Sequence, residues 1–376
     1  MNYLSLSRVC KINMGQSPES SSYNENGDGL PFFQGNADFG ERYPVTRVWC
    51  NAPTKIAHAG DILISVRAPI GAMNYASEEC CIGRGLAAIT PDSEKVSPEF
   101  IFWLLKGKNT ELNSKGTGST FKAIGRKVLE EVLVPDIGSE QQAEYARVLE
   151  TVYAIMRERA KQLHMLDQFI KARFVEMFGD PVANPKGWEK RPLSEEAEIR
   201  IGPFGSLLHK EDYVTGGHSL INPSHIIDGR LVPDNDLTLT DDKYEELTPY
   251  HLTVGDVVMG RRGEMGRCAV VDRPGLLCGT GSLLIRTKGD LSADYLQKII
   301  SFPSFKRTIE DMAVGQTMPN LNVPIVSAFQ IIKPPKTVQE QYYAFVSQVD
   351  KSKVAVQKAL TEAQLLFDSL MQKYFG

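Results

Sequence analysis

No stretch of this sequence approaches the run of about 18 apolar residues that a bilayer-spanning helix needs, so no membrane segment is expected. The first residues, MNYLSLSRVCKINMGQ, lack a basic segment followed by an apolar one, which argues against secretion. Cysteine is sparse. The six residues Cys10, Cys50, Cys80, Cys81, Cys268 and Cys278 include no Cys-x-x-Cys pair and no zinc-ligand spacing. They are expected to be reduced, mostly buried thiols of a cytoplasmic protein that holds no metal. Neither sign of charge dominates: 42 Lys and Arg against 46 Asp and Glu leave a net charge of −4, which gives no support to a globally basic nucleic-acid binder. What remains is ordinary globular composition, 42% hydrophobic and 23% charged, in 376 residues with room for two or three domains.

The chain repeats itself. GDILISVRAPIG (60–71) returns as GDVVMGRRGEMG (255–266), with Gly, Asp, Arg and Gly at the same four places. CCIGRGLAAITP (80–91) aligns with LLCGTGSLLIRT (276–287), Gly83 and Gly85 matching Gly279 and Gly281. Helix-like SPEFIFWLLKG (97–107) is followed in the second half by SADYLQKIISF (292–302). GTGSTFKAI (116–124) faces VGQTMPNLN (314–322), Gly118 against Gly315 and Thr120 against Thr317. EEVLVPDIGSEQQ (130–142) corresponds to AFQIIKPPKTVQEQ (328–341), and ARFVEMFG (172–179) to SLMQKYFG (369–376). Six matches in one order, at a nearly constant offset, make the chain a tandem duplication of one module.

Each module has two parts. The first, 1–137 and 181–336, is rich in Gly, Pro and short apolar runs such as DILISV and SLLIRT, and reads as short strands in a mixed α+β domain. The second, 138–180 and 337–376, reads as one long helix. Apolar residues recur at Val148, Val152, Ile155, Leu163, Leu166, Ile170, Phe174 and Met177, and again at Tyr342, Phe345, Val349, Val356, Leu360, Leu366, Leu370 and Tyr374. A helix of forty residues is about 60 Å long, and an apolar stripe of that length needs a partner of equal length. The other long helix is the expected partner. Two equivalent modules then form a pseudo-two-fold body, with a domain at each end of an antiparallel coiled coil.

Two similar but diverged domains on one frame suit a two-part target, and duplex DNA is such a target. Local basic clusters fit this reading. Lys106, Lys108, Lys115, Lys122, Arg126 and Lys127 gather with the single acid Glu111, and Arg261, Arg262 and Arg267 form a second group. Lysines and arginines would hold phosphates while polar loop residues touch base edges.

At this point the residues resemble the specificity subunit of type I restriction–modification enzymes. RIGPFGSLLHKEDY (200–213) looks like that family's opening motif of a target-recognition domain, followed by INPSHIIDGRL (221–231), GDVVMGRRGEMGR (255–267), VGQTMPNL (314–321) and PPKTVQEQ (334–341). The first half is similar but more diverged, with INMGQSPES (12–20) standing where Gly-Pro-Phe-Gly-Ser would be. The resemblance covers essentially the whole chain. It implies two target-recognition domains, each reading one half of a split, asymmetric DNA site. It implies helices that space them and bind two methyltransferase subunits, to which restriction subunits attach. S-adenosylmethionine, ATP and Mg²⁺ would act in those partners, and this chain would bind no cofactor and catalyse nothing itself.

Candidate DNA-contacting residues are placed accordingly. Gln16 and Ser17 in the first copy match Ser206, His209 and Lys210 after GPFG in the second, whose glycines would let backbone approach DNA. Lys115, Ser119, Thr120 and Lys122 border a Gly-rich loop able to hold phosphate, and Gln316, Thr317 and Asn320 are the second copy's polar counterparts. Arg67 and Arg262 follow equivalent strands and read equally as DNA contacts or as intradomain partners. Arg261 and Arg267 complete the set. Asp61 and Asp256, each after Gly and opening a strand, read as turn-forming residues.

A self-contained nuclease or methyltransferase is the competing reading. GTGS (116–119) could pass for a phosphate loop, but the sequence contains no G-x-x-x-x-G-K-[ST]. NPKG and NPSH fall short of the Asn/Asp-Pro-Pro-aromatic motif of adenine methyltransferases, and KPP has the wrong first residue. Pro233-Asp234 followed by Asp241-x-Lys243 could in principle serve a Mg²⁺-bound water, but the first copy has nothing like it. His218 and His225 lack neighbouring ligands, so base-edge or core hydrogen bonding is their expected role.

Overall fold

The structure is a computed structural model that describes residues 2–118, 122–204, 207–315 and 320–376, and of Lys210 the backbone alone. The chain divides into two compact units, Met1–Leu163 with Ala355–Gly376, and His164–Val354.

The first unit is built on a four-stranded antiparallel sheet in the order Cys10–Met14, Leu86–Pro91, Ile62–Ser65, Met73–Tyr75. All four residues of Ile62–Ser65 are buried, because both faces of the sheet are covered. Ile62, Ile64, Ala87 and Ile89 join a core with Phe100, Trp103 and Leu104 of the helix Pro98–Gly107. Leu63, Leu86 and Ala88 pack on the other side with Phe33, Ala57 and Ile82. Those last residues belong to a five-stranded sheet in the order Tyr23–Asn24, Trp49–Cys50, Leu30–Phe33, Cys80–Ile82, Ile56–Ala57, in which Leu30–Phe33 and Cys80–Ile82 run parallel. Tyr3–Ser5 pairs with Leu133–Pro135. The helix Pro98–Gly107 starts where its sequence says it should: the Ser97 hydroxyl accepts from the Phe100 N–H at 3.1 Å, and proline fills the first turn.

The second unit repeats this plan strand for strand. Its four-stranded sheet runs Ala197–Ile201, Ser282–Thr287, Val257–Gly260, Cys268–Val270. Its five-stranded sheet runs Tyr213–Val214, Thr238–Leu239, His218–Ile221, Leu276–Cys278, His251–Leu252, again with one parallel pair. Lys190–Pro192 pairs with Gln330–Ile332. Register is kept as well: Ile62 faces Tyr75 and Ile89, and Val257 faces Val270 and Ile285. The duplication read from the sequence is therefore a duplication of topology. The second unit adds a hairpin of Ile226–Ile227 with Arg230–Leu231, and a short helix Asp241–Glu246.

Asp61 and Asp256 are the turn residues their position promised. The Asp61 carboxylate accepts from the His58 N–H at 2.9 Å, and that of Asp256 from the Thr253 N–H at 2.7 Å. Asp256 carries more, because the Arg286 guanidinium grips both of its oxygens at 2.8 and 2.7 Å. Residue 90, the first unit's equivalent of Arg286, is threonine.

The long helices are Ser139–Phe178 and Lys336–Phe375, forty residues each. Within the first unit they meet antiparallel, Tyr145 stacking on Tyr374 at 3.7 Å and Tyr153 lying near Phe367 at 6.0 Å. Within the second unit they are antiparallel as well: Lys353 pairs with Asp167 at 2.6 Å, Phe169 meets Phe345 edge-on at 4.9 Å, and the Tyr342 hydroxyl donates to the Ile170 carbonyl at 3.4 Å. The buried stripe differs in detail from the spacing read above. Val152, Phe174, Tyr342, Val349 and Tyr374 are buried as expected, but Ile155 and Leu366 are 45% and 51% exposed. Ala146, Leu149 and Phe367 are buried instead. The reason is that the helix ends serve two partners: besides each other, they cover the domain core around Trp103 in one unit and Tyr295 in the other.

All six cysteines are free and buried. Burial pushes the thiols of Cys10 and Cys80 up to about 12 and that of Cys268 to about 11. A thiolate is the reactive form. The folded protein is therefore expected to give almost no reaction with a disulfide reagent such as Ellman's reagent at neutral pH, and to release six thiols on denaturation. Rapid labelling of the native chain would contradict this packing. Among the described residues, no helix is long and apolar enough to cross a membrane.

Candidate nucleic-acid interface

In the first unit, hydrogen bonds tie four sequence motifs to one rim. The Gln16 N–H donates to the Ile82 carbonyl at 3.0 Å, and the Gly15 N–H to Leu86 at 2.9 Å. The Ser17 hydroxyl accepts from the Arg84 N–H at 3.3 Å. The Val66 N–H donates to Gly85 at 2.9 Å. Beyond it, Ala68 N–H bonds Lys122 and Ile124 N–H bonds Val66, so Arg67 forms a bridge with Ala123. Gln16, Arg67, Arg84 and Lys122 are exposed, and Ser17 is half-buried. Residues from four separate parts of the sequence thus share one edge.

The second unit reproduces the arrangement. Gly202 N–H donates to Ser282 at 3.1 Å, Arg261 N–H to Gly281 at 3.0 Å, and Leu321 N–H to Arg261 at 2.9 Å. Arg262 bridges Asn320 as Arg67 bridges Ala123. The Arg261 guanidinium donates to the Asn320 side-chain oxygen at 3.1 Å. Burial, and after it the neighbouring charge of Arg262, lowers the Arg261 pKa from the ordinary arginine value. Arg262 is exposed.

The glycines of the opening motif have a structural reason. A Cβ on Gly15 would stand 2.1 Å from the Gly83 carbonyl oxygen, and one on Gly202 would stand 2.0 Å from that of Gly279. What Gly202 admits at close range is therefore the chain's own backbone rather than a ligand's. Gly205 lies outside the described residues, as do Ser119, Thr120, Ser206, Gln316 and Thr317, together with the Lys210 side chain. The His209 N–H donates to Asp212 at 2.7 Å, and His209 is exposed.

The basic cluster at 106–127 is dispersed by folding. Lys106 lies over the rings of Trp103 and Tyr153, and the Lys108 ammonium donates to the Phe375 carbonyl at 2.6 Å. Lys115 pairs with Glu111 at 2.7 Å, Arg126 with Glu130 at 2.7 Å, and Lys127 with Glu131 at 3.8 Å. In the second unit Arg267 pairs with Glu264 at 2.5 Å and donates to the Pro223 carbonyl at 3.2 Å, while Lys306 also holds Glu264. These two cations draw the Glu264 carboxyl below its usual range. Arg67, Arg84, Lys122 and Arg262 have no carboxylate partner among the described residues. Arg84 is the rim residue that motif reading passed over, and its signal was present: it is the residue between two matched glycines that differs between the copies, Arg84 against Thr280.

The residues of the competing nuclease reading take separate local partners. The Asp234 carboxylate accepts from the Asp236 N–H at 3.0 Å, Asp241 meets His218 Nε2 at 3.0 Å, and Lys243 pairs with Glu246 at 3.1 Å. His218 is also stacked on Tyr244, which stacks in turn on His251, each at 3.8 Å. His225 is buried, its Nδ1 2.9 Å from the Leu220 carbonyl.

A duplicated α+β domain with a backbone-tied basic rim belongs to a recognised class. The family model described as type I restriction modification DNA specificity domain matches residues 1–165 and again 185–364. The chain belongs to that family and carries the domain twice. Among its relatives in Methanocaldococcus jannaschii, the putative type I restriction enzyme MjaX specificity subunit is 42% identical over 158 residues, which are 42% of this chain and 37% of that protein. The type I restriction enzyme MjaIX specificity subunit is 23% identical over 360 residues, covering 89% of this chain and 81% of the relative. Two solved chains share the fold. The type I restriction–modification S subunit from M. genitalium is 14% identical with a TM-score of 0.58, over 100% of this chain and 96% of that one. A chain from a structural study of complex assembly in the type I R-M system is 18% identical with a TM-score of 0.65, over 100% and 97%.

Proposed function

We propose that this chain is the DNA-reading subunit of a type I restriction–modification complex and performs no catalysis itself. Each unit's rim reads one half of a bipartite, asymmetric double-stranded site. Two methyltransferase subunits dock on the chain, restriction subunits join through them, and S-adenosylmethionine, ATP and Mg²⁺ act in those partners. The assembly works in the cytoplasm. The observation that carries this reading is that one hydrogen-bonded frame occurs twice with different exposed side chains on its rim. Keeping the frame preserves the docking geometry while changing the side chains changes the sequence read. The test is a map of methylated adenines in the host genome with and without the gene. Methylation at one split motif should vanish with the gene, and an unchanged map in an otherwise active system would contradict the proposal.

Arg67 and Lys115 separate cations available to phosphate from those spent internally. In the assembled complex, Arg67→Ala is expected to reduce the slope of log binding constant against log salt by about one. Lys115→Ala, whose ammonium is already held by Glu111, is expected to leave that slope nearly unchanged. Filter binding across a salt series measures both.

A further inference from the structure

The Gly-x-Gly turn that joins the two sheets of each unit has a fixed backbone and one free side chain. In the first unit Gly83-Arg84-Gly85 connects Cys80–Ile82 of the five-stranded sheet to Leu86–Pro91 of the four-stranded one. Its backbone is held on every side. Gly83 N–H donates to Phe33 at 2.8 Å, Leu86 N–H to Gly83 at 3.0 Å, Val66 N–H to Gly85 at 2.9 Å, and Arg84 N–H to the Ser17 hydroxyl at 3.3 Å. Gly85 has no room for a side chain, since a Cβ there would lie 2.2 Å from the Gln34 carbonyl oxygen, and Gly83 is tight, with a Cβ 3.2 Å from the Gln34 backbone. Arg84, between them, is exposed.

The second unit holds Gly279-Thr280-Gly281 in the same way. Gly279 N–H donates to Ile221 at 2.9 Å, Ser282 N–H to Gly279 at 2.9 Å, and Arg261 N–H to Gly281 at 3.0 Å. A Cβ on Gly279 would meet the Asn222 side-chain oxygen at 2.3 Å, and Thr280 is exposed. The two turns differ at the one position that projects.

We infer that the apex of this turn is a base-reading, specificity-determining position: Arg84 recognises a guanine in the half-site read by the first unit, and Thr280 occupies the corresponding position in the second. This rests on the DNA-reading function proposed above. An arginine on a rigid support can present its planar fork to guanine O6 and N7. A threonine in that place loses the bidentate pair and offers a hydroxyl and a methyl group. A turn anchored by its neighbours on both sides gives such a contact the positional precision that a long loop lacks. Arg67, on the segment bonded to Gly85 through Val66, holds phosphate beside it.

The test is methylome sequencing of cells carrying the complete system with wild-type chain, Arg84→Ala, Arg84→Lys or Thr280→Ala. Arg84→Ala should relax one guanine position in one half of the motif, with about ten- to a hundredfold loss of discrimination there, and leave the other half unchanged. Arg84→Lys should keep a weakened preference at the same position, and Thr280→Ala should alter the opposite half alone. If Arg84→Ala lowers methylation evenly at every site with the motif unchanged, the contact is to phosphate and the inference falls. An Arg84→Ala methylome identical to wild type also overturns it. Failure of the underlying function would look different, because the wild-type gene would then direct no bipartite motif at all.

Discussion

Replacing Trp103 by alanine is expected to destabilise the first unit by about 3–5 kcal/mol, the range for deleting a large aromatic side chain from a packed core. Trp103 is fully buried. Its ring meets Phe102 at 5.5 Å, Tyr153 at 5.3 Å and Phe367 at 5.6 Å, all edge-on. Those partners lie on three helices, so one side chain fastens the domain helix Pro98–Gly107 to both long helices within the unit. Its indole N–H is buried with no hydrogen-bond partner among the described residues, so alanine forfeits packing and strands no polar group. Urea denaturation in a Trp188→Phe background would follow the first unit by tryptophan fluorescence, from Trp49 and Trp103 before the change and from Trp49 alone after Trp103→Ala. A fall in the midpoint equivalent to several kcal/mol is expected. A change below about 1 kcal/mol, typical of a surface substitution, would mean that the helices are not joined through this residue.

Asp256→Ala should destabilise the second unit by about 2–3 kcal/mol, short of the full penalty for breaking a buried ion pair because Arg286 keeps contact with water. Asp256 is 1% exposed, and its carboxylate accepts from the Thr253 N–H, the Thr253 hydroxyl and both Arg286 donors. The equivalent Asp61→Ala in the first unit should cost less, about 1–2 kcal/mol, since it removes a turn carboxylate that the His58 N–H bonds but strands no guanidinium. Thermal melts of the two variants, with Arg286→Ala and the double variant as a cycle, measure the difference directly. Equal losses at the two aspartates would contradict the assignment of the extra stabilisation to Arg286.

Much of this architecture was legible in the sequence because it was written twice. GD at 60 and 255, the matched glycines at 83, 85, 279 and 281, and the paired forty-residue helical stretches fix the duplication. The structure places equivalent strands in equivalent registers. The continuous apolar run Ile62-Leu63-Ile64 was readable as a strand, though not the reason for its continuity, which is a second sheet packed on its outer face. The heptad reading placed Val152, Phe174, Tyr342, Val349 and Tyr374 correctly but missed part of the buried stripe, for a related cause. A stripe calculated for two partnered helices omits the domain core, and that core buries Leu149 and Phe367 while leaving Ile155 outside. Charge was the least legible feature. Lys108 and Lys115 stand in one basic cluster with Lys122, yet the first caps a carbonyl and the second a carboxylate. Sequence proximity does not register what a long side chain folds back onto. Arg84 was visible only in the comparison of the copies, as the variable residue between constant ones.

The proposed function requires that each unit read its own half of one DNA site. It is tested most directly by replacing residues 1–137 with the corresponding domain of another family member and mapping methylated adenines in cells that carry the rest of the system. A new motif is expected in which one half has changed, while the other half and the separation between them are retained. A motif changed in both halves, or in neither while methylation persists, would contradict it.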